Sequence, residues 1–101
     1  MNFAEMIYRQ RAFSERTFGP GKRTLGVVTH IRRELHEVLA NPDDVQEWAD
    51  VIILAIDGAW RMGFSPEEIV QAISEKQTIN EGRKWPDWRT ADPLMPIEHE
   101  R

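Results

Sequence analysis

The sequence predicts an all-α fold, a bundle of about four helices completed by oligomerisation. Three observations lead there. Apolar residues recur at the helical period in successive stretches, capping and breaking signals separate those stretches, and no stretch alternates as a strand would. The chain has 101 residues, enough for one domain with a modest core.

From Asn2 to Phe13, Phe3, Met6, Ile7, Gln10 and Phe13 fall near one helical face, which reads as a short amphipathic helix. Gly19-Pro20-Gly21 then interrupts any helix, so Arg16 to Arg23 reads as a loop carrying Arg16, Lys22 and Arg23. Its glycines could let backbone N–H groups cradle a phosphate, or it is a plain turn; the Gly-x-x-x-x-Gly-Lys-Ser/Thr signature is absent. A second helix is expected from Thr24 or Leu25 to Ala40, with Ile31, Leu35, Val38 and Leu39 as its apolar stripe. Asn41-Pro42-Asp43-Asp44 marks the next start: Asn as N-cap, Pro at the first helical position, the two Asp at the positive end of the helix dipole.

The third helix, from Pro42 to about Met62, is apolar around most of its circumference through Val45, Trp48, Val51, Ile52, Ile53, Leu54, Ile56 and Trp60. Such a helix is buried, and in a chain this short an oligomer buries it most easily. Ala55, Gly58, Ala59 and Met62 form a strip permitting close helix contact. Ser65-Pro66-Glu67-Glu68 opens a fourth helix with a capping box, running to about Asn80. Beyond Gly82 the chain, with Trp85 and Trp88, reads as an extended tail.

A net charge of −4 argues against a general nucleic-acid binder, which needs a basic footprint. The absence of cysteine excludes disulfides, thiolate zinc sites and cysteine nucleophiles. No segment resembles a signal peptide, and the apolar run Val51–Ile56 is too short to span a bilayer. A cytoplasmic location, with no membrane partner, is the expectation.

Two acidic pairs carry the chemistry, Glu34-Leu-His-Glu37 and Glu47-Trp-Ala-Asp50. At i, i+3 on a helix the two carboxylates of each pair lie about 60° apart around the axis. The short connection makes the two helices antiparallel neighbours, so the pairs can face each other. Carboxylates beside an apolar face repel unless a cation sits among them, and a hard divalent ion with oxygen ligands fits. The alternative is a solvated pair of helix faces. The Glu-x-x-His signature of di-iron bundles is missing.

Asp57 returns to the face of Asp50 roughly 10 Å further along. It could bond a sugar hydroxyl or base edge, or pair with Arg61 at i, i+4. Lys76 and Asn80 share a face near Arg83 and could meet phosphate oxygens, or simply end a helix. His30, one turn before Glu34, could assist proton transfer or hold Glu34 in place.

Taken together, Glu34/Glu37, Glu47/Asp50, Lys76/Asn80 and Arg83 resemble the motif of the MazG-like all-α nucleoside triphosphate pyrophosphohydrolases. Phe13 to Gly21, His30 to Leu35, Glu47 to Arg61 and Lys84 to Arg89 look closer still to its dATP/dGTP diphosphohydrolase (MazZ-type) branch. The resemblance covers residues 1–89 as one domain and leaves 90–101 as a C-terminal tail. Only nine residues separate Glu37 from Glu47, fewer than is common in the broader family, so the turn is tight.

The resemblance implies Mg2+-dependent hydrolysis, with Mn2+ as an alternative, of purine deoxynucleoside triphosphates to monophosphate and pyrophosphate. It implies Glu34, Glu37, Glu47 and Asp50 as metal ligands and Glu34 or Glu37 as the group that activates water. Lys76, Asn80, Arg83, Arg16 and Asp57 would contact substrate, and the protein would be a homodimer or homotetramer. The competing expectation is a non-catalytic helical module that binds a nucleotide or a protein through the apolar third helix.

Overall fold

The computed structural model describes all 101 residues. It contains α1 (Phe3–Phe18), α2 (Thr24–Ala40), α3 (Val45–Arg61), α4 (Pro66–Gly82) and a short 3-10 turn, Trp88–Thr90. The chain divides into two compact units, Met1–Val70 and Gln71–Arg101. The first holds α1, α2, α3 and the opening turn of α4. The second holds the rest of α4 and the tail.

Helix boundaries follow from which side chain reaches which orphan N–H. α1 starts at a full capping box, the Asn2 side chain accepting from the Glu5 N–H while Glu5 turns back to the Asn2 backbone. It runs to Phe18, past the expected end at Phe13, because nothing interrupts it before Gly19, whose N–H closes on the Glu15 carbonyl. Arg16 therefore belongs to the last turn of α1 and not to the loop. The start of α3 also differs from expectation. Asp44, not Asn41, is its N-cap and accepts from the Gln46 N–H. Asn41 instead ends α2 through its N–H to the Glu37 carbonyl, and Pro42 sits in the turn, its carbonyl accepting from the Trp48 indole at 2.9 Å. α4 begins as expected, with reciprocal bonds of 3.1 Å between Ser65 and Glu68, and extends to Gly82.

α2 and α3 form the main packed pair, and α1 packs against α3. The register is antiparallel: Val27 lies opposite Gly58, and Glu34 lies beside Asp50. Gly58 permits this approach. A Cβ placed there would stand 3.2 Å from the Val27 side chain, closer than packed side chains normally sit. Within the single chain α3 is buried on one side only. Trp60 is buried against Ile7 and Ile69, with Ile56, Ala59 and Val70 packed around them. Val45, Trp48, Ile52 and Ile53 remain exposed.

A buried polar network fixes α1 to α3. Asp57 and Arg61 are each 6% exposed and pair at 2.7 Å. Ser14 and Gln10 both donate to the other Asp57 oxygen. The Trp60 indole donates to Gln10 at 2.7 Å. Arg61 also donates to Ser14 and to the carbonyls of Gly19 and Gly21. Those glycines hold φ of +88° and +91°, a region L side chains rarely adopt, and so aim their carbonyls at the guanidinium. The Gly19-Pro20-Gly21 loop is therefore a structural clamp that presents carbonyls to Arg61.

In the second unit the tail folds back. The Trp85 indole donates to the Asn80 carbonyl and its ring meets His99 edge-on, while the Glu100 N–H donates to the Lys84 carbonyl.

Burial pushes the Asp57 carboxyl up, but the bonds from Ser14, Gln10 and Arg61, with the Arg61 charge, outweigh this and hold it below the usual range. Its contribution to stability is present above the ordinary carboxylate pKa and is lost as pH falls through the lowered value. Asp57→Ala leaves Arg61 as an uncompensated buried charge and should cost about 3–5 kcal/mol in urea unfolding. Arg61→Met combined with Asp57→Ala should cost less than the two single changes added together. Additive losses would show that the pair is not coupled.

Candidate active site

The α2–α3 hairpin brings one acidic pair against the other. Glu34, Glu47 and Asp50 each offer a carboxylate oxygen such that all lie within 4.8 Å of one another. Glu34 and Glu47 are half-buried and Asp50 is exposed. Glu37 stands outside this triad but close enough to act on it. The Glu47 carboxyl is raised by desolvation first, then by repulsion from Glu37, Asp44, Asp50 and Glu34. The expected quartet is thus a triad with a fourth carboxylate beside it. His30 Nε2 lies 3.3 Å from the Glu34 carboxylate.

A cavity of about 690 Å3 opens within the first unit, between α1 and the α2–α3 hairpin. That is within the usual size range of small-molecule sites. Glu34 and Asp50 of the triad border it, as do His30, Asp57 and Arg61. α1 contributes Arg9, Phe13 and Arg16, with Phe18 at its end, and Ile53, Leu54 and Ile56 give an apolar wall. The cavity therefore combines an acidic edge, an aromatic and apolar wall, and free cations.

The substrate-contacting residues expected from the sequence divide into three sets. Arg16 lines the cavity with its guanidinium over the Phe13 ring at 5.4 Å. Asp57 also borders it, but both its oxygens are engaged by Gln10, Ser14 and Arg61, so the ion-pair alternative is the one realised. Lys76, Asn80 and Arg83 belong to the second unit, where Arg83 donates to the Asn80 side chain at 3.1 Å.

Sequence reasoning missed Arg9 as a cavity residue and missed Gln10 and Ser14 as buried partners of the Asp57–Arg61 pair. A signal for both was present. Ile7, Gln10 and Ser14 share a helical face, and polar residues in an apolar register demand a buried partner. Arg9, Phe13 and Arg16 repeat at i, i+4, i+7 on another face.

Residues 6–101 match the family model of dATP/dGTP pyrophosphohydrolases. The chain belongs to this family. Among individual relatives, the Eaa protein of Salmonella phage P22 is 41% identical over 61 residues, 60% of this chain and 19% of that protein. The dATP/dGTP diphosphohydrolase of cyanophage S-2L is 35% identical over 68 residues, 65% of this chain and 62% of that protein. Each alignment therefore spans less than two thirds of the relative's length. The solved structure of the cyanophage S-2L MazG-like pyrophosphohydrolase bound to dGDP and three catalytic Mn2+ ions per active site superposes with a TM-score of 0.77 at 28% identity. It covers 100% of this chain and 99% of that one. The all-α pyrophosphohydrolase fold read from the sequence is borne out by these matches.

The raised Glu47 carboxyl sets a pH test. Without a cation, its contribution to stability is present below the ordinary carboxylate range and is lost as pH rises through the raised value. A divalent cation removes that repulsion. The increase in Tm on adding Mn2+ should therefore grow from about pH 4 to about pH 7. An increment that does not vary with pH would place cation binding elsewhere.

Proposed function

We propose that this chain hydrolyses dATP and dGTP to the monophosphate and pyrophosphate, with divalent cations held by Glu34, Glu47 and Asp50 and with Glu37 beside them. The observation that carries this reading is the convergence of three carboxylates within 4.8 Å at the edge of a nucleotide-sized cavity in a chain of this family. The donor set fits a hard cation: it is all carboxylate, and its members destabilise one another as anions. The Mn2+ ions and dGDP of the cyanophage structure support Mn2+ or Mg2+ here and a purine deoxynucleotide as ligand.

In the reaction a water oxygen bonds to the α-phosphorus. The bond from that phosphorus to the oxygen bridging toward the β-phosphorus breaks, and pyrophosphate leaves with that oxygen. The water proton passes to Glu34 or Glu37. His30 holds Glu34 in orientation from one turn away. When bound, a divalent cation neutralises phosphate charge and acidifies water. The apolar wall of Ile53, Leu54 and Ile56 limits competing solvent. Lys76, Asn80 and Arg83 are proposed phosphate ligands on the motif alone, and cytoplasmic residence follows from where such substrates are found.

We also infer a homo-oligomer, either a dimer or a tetramer. Leu39 and Val45, at 79% and 71% exposure, continue with Leu35, Trp48 and Ile52 as uncovered apolar surface on the α2–α3 hairpin. Contiguous apolar surface of this kind marks an interaction site. Light scattering should give a multiple of the 11.8 kDa chain mass, and Leu39→Glu with Ile52→Glu should shift it toward monomer. A native chain that is monomeric at all concentrations would overturn the inference.

With Mg2+ or Mn2+, dGTP and dATP should yield dNMP and pyrophosphate in equal amounts. Glu47→Gln and Asp50→Asn should each lower turnover by roughly a hundredfold or more while far-UV dichroism stays unchanged. Orthophosphate as the product, or full activity in either variant, would refute the assignment.

A further inference from the structure

Two arginines of α1 have no hydrogen-bond or ion-pair partner within the chain, and the local sequence explains why. Arg11 has Glu15 four residues on and pairs with it at 3.6 Å. Arg9 has Glu5 four residues back, but Glu5 is turned to the N-cap, bonded to the Asn2 backbone and side chain. Arg16 has Ala12 and Pro20 at the corresponding positions, so no carboxylate is within helical reach. Arg61, the other α1-facing guanidinium, is fully engaged by Asp57, Ser14, Gly19 and Gly21. Arg9 and Arg16 both line the cavity that Glu34 and Asp50 border. Phe13 lies between them on the same stripe, and its ring supports the Arg16 guanidinium.

We propose that Arg9, together with Arg16, is a substrate-contacting residue that grips the phosphate chain from the α1 side, opposite the carboxylates. This rests on the pyrophosphohydrolase reading. The carboxylates use up part of the charge of any cation they hold, so a triphosphate gains from further positive charge on the cavity wall. Guanidinium groups with free N–H donors on the facing wall suit its non-bridging oxygens. The charge on the leaving pyrophosphate increases as the bond to the α-phosphorus breaks, so the grip strengthens along the reaction. Arg9 serves this role because capping at Asn2 removes Glu5, the one acid on α1 that would otherwise neutralise it.

The test compares Arg9→Gln, Arg16→Gln and, as a charge control, Arg11→Gln. Arg9 and Arg16 are exposed on a capped helix, so all three variants should keep the wild-type helical signal. Arg9→Gln should raise KM for dGTP or lower kcat/KM roughly tenfold or more, as expected for the loss of a charge-assisted hydrogen bond. Inhibition by dGMP, which lacks the β and γ phosphates, should change by less than about twofold, and Arg9→Lys should recover part of the loss. Calorimetric binding of inorganic pyrophosphate with Mn2+ should weaken in Arg9→Gln and Arg16→Gln and stay unchanged in Arg11→Gln.

Equal losses for dGMP and dGTP would overturn the proposal by placing Arg9 on the base or sugar. So would an Arg9→Gln enzyme that matches Arg11→Gln. If wild-type protein releases no pyrophosphate from any nucleotide, the proposed reaction fails. The pyrophosphate titration then still judges Arg9 by itself.

Discussion

The first unit depends on a guanidinium held away from water. Arg61 is 6% exposed, and a charge there is tolerated only because Asp57, Ser14 and two glycine carbonyls surround it. Each of those partners comes from a different place in the chain. Asp57 lies one turn back on α3, Ser14 lies on α1, and Gly19 and Gly21 lie in the loop between α1 and α2. Satisfying one side chain therefore fixes how α1 crosses α3 and where α2 begins. Apolar packing alone would constrain this less. The local core is small, centred on Ile7, Trp60 and Ile69, whereas hydrogen bonds are directional and tolerate little sliding.

That constraint also shapes the cavity. α1 is held against the C-terminal half of α3 by the network, while α2 lies along α3 at the close approach allowed by Gly58. The space left between α1 and the hairpin is bordered by the acidic edge on one side and by the Arg9–Phe13–Arg16 stripe on the other. The network and the site are thus parts of one arrangement. Asp57 borders the cavity, but its carboxylate is occupied in holding the scaffold.

The carboxylate cluster is built on the opposite principle. Glu47 is raised by desolvation and by four acidic neighbours. No arginine or lysine of the first unit forms an ion pair with any member of the triad; His30 alone pairs with it, through Glu34. An acidic set left without compensating cations is unfavourable for the bare fold and favourable for a divalent ion. In the Asp57–Arg61 network the charges are balanced internally, and in the triad they are left open to a ligand.

Much of this was legible in the sequence. The capping box at Ser65, the glycine break at Gly19 and the i, i+3 spacing of Glu34/Glu37 and Glu47/Asp50 are local, and local geometry sets them. The fold class and the facing acidic pairs followed, since a short connection between two helices leaves few other arrangements. The choice of Asp44 over Asn41 as N-cap, the extension of α1 to Phe18, and the placing of Glu37 outside the triad were decided by which contacts compete once the chain is folded. So was the pairing of Asp57 with Arg61. Spacing along a helix shows that two residues share a face. It does not show which helix crosses that face, and α1 reaches Asp57 from 43 residues away. The sequence by itself therefore determined the elements and the chemistry available on each. The tertiary structure decided which charges are balanced internally and which are left open to a substrate.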